Sequence, residues 1–223
     1  MKGKIVEVFE SIQGEGIYLG ERQLFVRFFG CNLDCKFCDT RLIRFKEYAP
    51  EDLIKELKTY KGEFHSISFT GGEPLLQVSF LKEILKLAKR GNFLNYLETN
   101  GTLPEALEEV INYLDFIAMD LKLASSTGII NFWASHRKFL EIASRKEVFL
   151  KIVVCQSTGV EDLLEALHLI KEMNKAIVLV LQPNTQENDI YLQKKIEGFR
   201  DMCIKENITT CIIPQVHRRL GVR

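Results

Sequence analysis

Three cysteines fall within eight residues, in Gly30-Cys31-Asn32-Leu33-Asp34-Cys35-Lys36-Phe37-Cys38-Asp39-Thr40. Their spacing is Cys-x3-Cys-x2-Cys, with no fourth Cys or His beside it. A structural zinc site closes its shell with four ligands. Three thiolates instead suit a 4Fe-4S cube, each holding one iron and leaving the fourth iron open. Gly30 lets the chain turn off the preceding strand. Spacing alone leaves two other readings: three thiols without metal, or a zinc ion completed by a distant histidine.

Further polar groups cluster where apolar runs end. Ser66-Ile67-Ser68-Phe69 leads into Thr70-Gly71-Gly72-Glu73-Pro74, whose glycines allow close backbone approach to a ligand or simply make a tight turn. Leu97-Glu98-Thr99-Asn100-Gly101, Met119-Asp120-Leu121-Lys122 and Leu181-Gln182-Pro183-Asn184 end in the same polar way. Ile12-Gln13-Gly14-Glu15-Gly16 sets an amide, a carboxylate and exposed backbone in one small turn. A carboxylate there can accept two parallel N–H bonds from an amidine-like edge, such as a 2-amino-4-oxopteridine presents. Arg27 lies mid-strand among Phe25, Val26, Phe28 and Phe29, and a buried guanidinium needs an anion. Either a substrate carboxylate or a protein acid would serve. Cys155, Cys203 and Cys211 match no ligand spacing and read as core thiols.

These groups need a scaffold, and the 223 residues supply one. Apolar residues at 46% and charged residues at 27% suit one globular domain spanning 1–223. Thirty Lys plus Arg balance thirty Asp plus Glu, so no long-range field draws in nucleic acid or an anionic membrane. No apolar run approaches the ~20 residues of a membrane span, and Glu7 interrupts the place of a signal peptide's apolar region. A cytoplasmic location with reduced thiols is the expectation, and it favours metal over disulfides for the close cysteines. Strands are predicted at 5–9, 24–29, 66–70, 94–99, 116–119, 148–154, 177–181 and 210–213. Helices are predicted at 50–60, 79–90, 104–113, 132–143, 160–173 and 189–205. Alternating strands and helices imply an α/β fold: an open, partial (β/α) barrel of mostly parallel strands, with six full β/α units or fewer. Chemistry in such folds gathers at the C-terminal ends of the strands.

The cysteine spacing resembles that of the radical S-adenosylmethionine (SAM) enzymes, and Thr70-Gly71-Gly72-Glu73-Pro74 resembles their glycine-rich motif for SAM's amino group. The resemblance implies that SAM chelates the open iron and that an electron from the cluster releases a 5′-deoxyadenosyl radical. Ile12-Gln13-Gly14-Glu15-Gly16, Arg27, the cysteine loop running into Asp39-Thr40, and the tail Pro214-Gln215-Val216-His217-Arg218 together resemble the 7-carboxy-7-deazaguanine synthase family of the queuosine pathway. That likeness is most specific before residue 75 and loosest between Ser125 and Arg145. It implies a radical SAM lyase acting on 6-carboxy-5,6,7,8-tetrahydropterin. A hydrogen leaves C6, the ring contracts, ammonia departs and SAM is regenerated, with magnesium assisting.

Carried over, the resemblance makes Cys31, Cys35 and Cys38 the cluster ligands and Thr40 the magnesium ligand. Ile12, Gln13, Gly14, Glu15, Arg27 and Thr70 would contact the pterin, with His217 and the Arg223 carboxylate as further candidates. Phe37, Cys38, Asp39, Gly72, Glu98, Asp120, Lys122, Gln182 and Pro183 would surround SAM. A flavodoxin- or ferredoxin-type reductant and a homodimer are implied as well. One departure stands out: some relatives carry Ser-Pro-Lys where this chain has Asp120-Leu121-Lys122, which is closer to radical-activating enzymes. Two competing functions follow, an activating enzyme that places a glycyl radical on a partner protein, and a non-enzymatic zinc or electron-transfer module. Gln13-Gly14-Glu15 and Arg27 favour a small carboxylated substrate over the activating-enzyme reading, and the metal content of anaerobically reconstituted protein separates the module from both enzymes.

Overall fold

The computed structural model describes residues 1–38, 43–187, 189–216 and 221. Its strands are β1 (Gly3–Ile12), β2 (Arg22–Phe28), β3 (Lys46–Tyr48), β4 (Ser66–Gly71), β5 (Asn95–Thr99), β6 (Phe116–Asp120), β7 (Glu147–Val154), β8 (Leu179–Pro183) and β9 (Thr210–Ile212). They form one nine-stranded sheet in the order β3-β1-β2-β4-β5-β6-β7-β8-β9, which does not close on itself. From β2 through β9 the neighbours run parallel. β1 is antiparallel to both β2 and β3. The reversal has a simple cause. Residues 13–21 are too few for the crossover of a dozen or more that parallel neighbours require.

The helices are α1 (Pro50–Leu57), α2 (Val78–Arg90), α3 (Pro104–Val110), α4 (Ala124–Thr127), α5 (Trp133–Ala143), α6 (Val160–Glu172) and α7 (Ile190–Lys205). Proline at the first position starts α1 and α3, where its missing N–H costs nothing. β3 and α4 have no counterpart among the predicted elements, because three or four residues are too short to carry a period. No helix among the described residues is long and apolar enough to cross a membrane.

Each parallel strand sorts its side chains by alternation. Ile67 and Phe69, Leu97, Ile117 and Met119, Leu150 and Ile152, and Leu179 and Leu181 join the large core beneath the helices. The other face is different. Among the described residues, Tyr96, Ala118, Phe149 and Val180 form a small buried apolar cluster there. Towards the strand ends that face turns polar, with Thr70, Glu98, Asp120, Lys151 and Gln182 lining a cavity. On β7, Lys151 alternates with core residues and lines the cavity.

The β1–β2 loop fills the lower part of the inner face. Tyr18 packs on Phe116 and Tyr96 at centroid distances of 4.9 and 5.7 Å and hydrogen-bonds Glu147. Gly16, at φ +68°, lies against the Phe149 ring, and a Cβ there would sit 2.5 Å from it.

Gly71 closes β4 at φ +125°, where an added Cβ would meet the Phe28 backbone N and O at 2.4 Å. Gly71→Ala is expected to lower stability by about 3 kcal/mol or more, against about 0.5–1.5 kcal/mol for Ile67→Val in the same strand. Thermal unfolding of the two variants side by side checks this ordering.

Candidate active site

A cavity of about 710 Å³ opens at the C-terminal ends of the parallel strands. Cys31, Cys35 and Cys38 line its rim in the loop that leaves β2. Lys36 N–H donates to Thr127 O at 3.0 Å, and Cys38 N–H to Cys35 O at 2.9 Å, so the loop is pinned against α4 and tightly turned. Asn100 reaches across from β5, donating to Asn32 Oδ1 at 2.9 Å, with its Nδ2 4.0 Å from Cys31 Sγ. Burial pushes the Cys35 thiol up to about 11 and raises Cys31, with Lys122 acting against it in both cases. Among the described residues no three Cys, His, Asp or Glu side chains converge as on a single metal ion. Three thiols on one rim fit a cluster that takes three protein ligands and keeps one iron open.

Below the rim, Gly72 N–H donates to Phe28 O at 3.1 Å and Glu73 N–H to Gly30 O at 2.8 Å. These bonds lock the glycine turn to the start of the cysteine loop. Glu73, 0% exposed, accepts from Asn100 N at 2.8 Å, Leu75 N at 3.0 Å and Thr99 Oγ1 at 3.0 Å. It clamps β4 to the exit of β5. Its place is therefore beneath the glycine turn as a structural tie, a role the sequence reading did not give it.

The rim and the floor are joined by charges. Lys122 Nζ lies 2.7 Å from Asp120 Oδ2 and 5.3 Å from the Phe37 ring centroid. Lys151 Nζ lies 3.5 Å from the same Asp120 oxygen and 2.5 Å from Glu15 Oε2. Burial opposes both ammonium charges, yet Asp120 for Lys122, and Glu15 with Asp120 for Lys151, outweigh it and hold both lysines above their ordinary value. Glu15 Oε1 accepts from Gln215 Nε2 at 2.7 Å, and Val216 N–H donates to Gly14 O at 2.9 Å, so the tail docks on the floor turn.

On the floor, Glu98 accepts from Gln13 Nε2 at 2.8 Å, Ser68 Oγ at 3.1 Å and Thr70 Oγ1 at 2.7 Å. The structure thus groups Glu98, expected beside SAM, with Gln13 and Thr70, expected beside the pterin. Ile12 and Gly14 line the same end. Arg27 lines the cavity but is 24% exposed, so it is not the buried guanidinium of the sequence reading. Its Nε–H donates to Glu7 Oε1 at 2.8 Å, so a protein acid supplies the anion. Gly72, Gln182 and Pro183, expected beside SAM, lie on the cavity wall. Gln182 Oε1 and Asp120 Oδ1 are buried acceptors without a hydrogen-bond partner among the described residues. Buried acceptors in a cavity wall fit a ligand that brings N–H or O–H donors, as the amino and hydroxyl groups of SAM would.

Asp39, Thr40, His217 and Arg223 lie outside the described residues. Cys155 and Cys203 are buried as core thiols, while Cys211 is half-buried in β9. The sequence reading missed Lys151 and Glu7. A lone lysine inside an apolar run was the available signal for the first; the second lay on a strand with no clean alternation.

Residues 25–192 match the Radical SAM superfamily, and the chain belongs to it. Within that superfamily it is one of the 7-carboxy-7-deazaguanine synthases. It is 37% identical over 243 residues to the 7-carboxy-7-deazaguanine synthase of Geobacter sulfurreducens, covering 98% of this chain and 97% of that protein. The synthase of Archaeoglobus fulgidus is also 37% identical over 243 residues and is covered along 100% of both chains. The crystal structure of QueE from Escherichia coli shares the fold, with a TM-score of 0.68 at 20% identity over 97% of this chain and 95% of that one. This membership implies the 4Fe-4S cluster and SAM. It does not favour the activating-enzyme reading, and it sets aside the non-enzymatic module.

Glu73 generates a pH prediction. Burial pushes its carboxyl from 4.5 up to about 7, against hydrogen bonds from Asn100, Leu75 and Thr99 that hold it down. The folded chain then keeps a proton that the unfolded chain loses. The contribution of Glu73 is fully present below pH 4.5 and is lost as pH rises to about 7. The melting temperature of the wild type should fall relative to Glu73→Gln across that window. Parallel curves of melting temperature against pH would contradict the assignment.

Proposed function

We propose that this cavity carries out the ring contraction of 6-carboxy-5,6,7,8-tetrahydropterin to 7-carboxy-7-deazaguanine with loss of ammonia. One observation carries the reading: the Gln13-Gly14-Glu15 turn and the three-cysteine rim face a single cavity. Cys31, Cys35 and Cys38 would hold the cluster, which with bound SAM would supply the radical chemistry once a reductant provides the electron. The rest falls to the chain's own groups.

Glu15 would accept the amidine-like edge of the pterin, exchanging its bond from Gln215 for ligand donors. Gln13 and Thr70, already aligned by Glu98, would fix the ring plane. Arg27, aligned by Glu7, would direct its remaining donors to the substrate carboxylate. Asp120, Gln182, Pro183, Gly72, Phe37 and Lys122 would hold SAM on the rim side, with Asp39 beside them. Thr40 would bind magnesium, and substrate oxygens and water would complete its octahedron. His217 and Arg223 remain candidates for the substrate side. Holding the reacting C–H bond close to the radical carbon and away from water is the protein's share of the chemistry. A single domain, a cytoplasmic homodimer and a flavodoxin- or ferredoxin-type reductant complete the reading.

Cluster-loaded, reduced protein supplied with SAM and the tetrahydropterin should form the deazaguanine product, with SAM unconsumed at the end. Glu15→Gln should raise KM for the pterin about 10-fold or more, as expected for a lost charge-assisted pair of about 1.5–3 kcal/mol. Absence of product from the loaded wild type would overturn the proposal. Adding and withholding magnesium in the same assay tests the role given to Thr40.

A further inference from the structure

Lys151 has no part in the chemistry above, yet its position is costly. It stands mid-strand in β7 with its side chain only 15% exposed, facing the cavity. A lysine ammonium removed from water stays charged only if close carboxylates compensate it. Two do so, and they come from opposite ends of the site. Glu15, at 2.5 Å, belongs to the floor turn, and Asp120, at 3.5 Å, belongs to the rim end of β6. Asp120 Oδ2 also receives Lys122 Nζ at 2.7 Å. The order Gln215, Glu15, Lys151, Asp120, Lys122 therefore makes one continuous polar chain from floor to rim.

We propose that Lys151 is a positioning residue that couples the two halves of the cavity, so that a pterin on the floor and SAM at the rim each tighten the binding of the other. The inference rests on the function proposed above. The mechanism is electrostatic. A pterin edge that donates to Glu15 spreads the carboxylate's charge and loosens its hold on Lys151. The ammonium then shifts its weight to Asp120, the longer of its two contacts. Asp120 in turn gives up part of its claim on Lys122, whose charge becomes available to an anionic group at the rim. Binding coupled in this way is reciprocal by thermodynamic necessity.

The test measures dissociation constants on anaerobic, cluster-loaded protein, SAM with and without saturating tetrahydropterin and the reverse. Wild type should bind SAM about 5-fold or more tightly when the pterin is present, with the same factor for the pterin in the presence of SAM. Lys151→Gln should bring that factor to about 1 while iron and sulfide content stay at the wild-type level. A lysine that merely stabilised the fold would lower the melting temperature and leave the factor unchanged, and that result would overturn the inference. If Lys151→Gln does not fold, the double variant Glu15→Gln/Lys151→Gln, which removes both charges of the close pair, is read by the same criterion at saturating pterin. Wild type that binds no tetrahydropterin would instead bring down the functional reading beneath the inference. Wild type that binds both ligands without coupling would bring down the inference alone.

Discussion

A parallel sheet that stops before closing has an inner face with no second layer to cover it. Much of this protein's organisation answers that constraint. On the outer face the helices complete a large core in the ordinary way. On the inner face a small apolar cluster of Tyr96, Ala118, Phe149 and Val180 forms among the described residues, and the β1–β2 loop folds in to cover it with Tyr18. Gly16 makes that approach possible, because any side chain there would collide with Phe149. What remains uncovered is the polar half of the strands, which becomes the cavity.

Polar groups enclosed in this way must satisfy one another. Glu98 gathers Gln13, Ser68 and Thr70, while Glu73 gathers Thr99 and two backbone amides. Neither carboxylate is paired at close range with a cation among the described residues, and each is held by neutral donors. The charged partners are kept apart from them, in the sequence of Glu15, Lys151, Asp120 and Lys122. In a medium less polarisable than water such groups respond strongly to one another, which gives a small change at one end leverage at the other. Among the described residues of the cavity wall, Asp120 Oδ1 and Gln182 Oε1 are left as buried acceptors, which suits a wall that a donor-bearing ligand would complete.

Much of this was legible in the residues. The parallel strand–helix alternation, the proline starts of α1 and α3 and the Cys-x3-Cys-x2-Cys loop needed only period, capping and ligand counting. Where the reading stopped short, the cause was a partner distant in sequence. Arg27 was known to need an anion, but nothing local singles out Glu7, twenty residues away on an antiparallel strand. Glu98 stands at a strand end, but nothing local shows that its hydrogen-bond donors come from β4 and the floor turn. The register of β8 begins two residues later than its apolar run suggests, which puts Gln182 and Pro183 on the strand itself. Lys151 was passed over because a single polar residue in a strand predicted at 148–154 does not show which face it takes or what it meets there.

An unclosed sheet also has two margins, and both are kept small. β3 ends one side with three residues, two of them the exposed Lys46 and Glu47. β9 ends the other side with only three residues as well. Long flat margins with free amide and carbonyl groups recruit strands from other molecules, whereas short or charged ones offer them little purchase. The architecture that leaves room for ligands inside therefore carries its own guard against fibrillar stacking outside, built from brevity at one margin and from brevity and charge at the other.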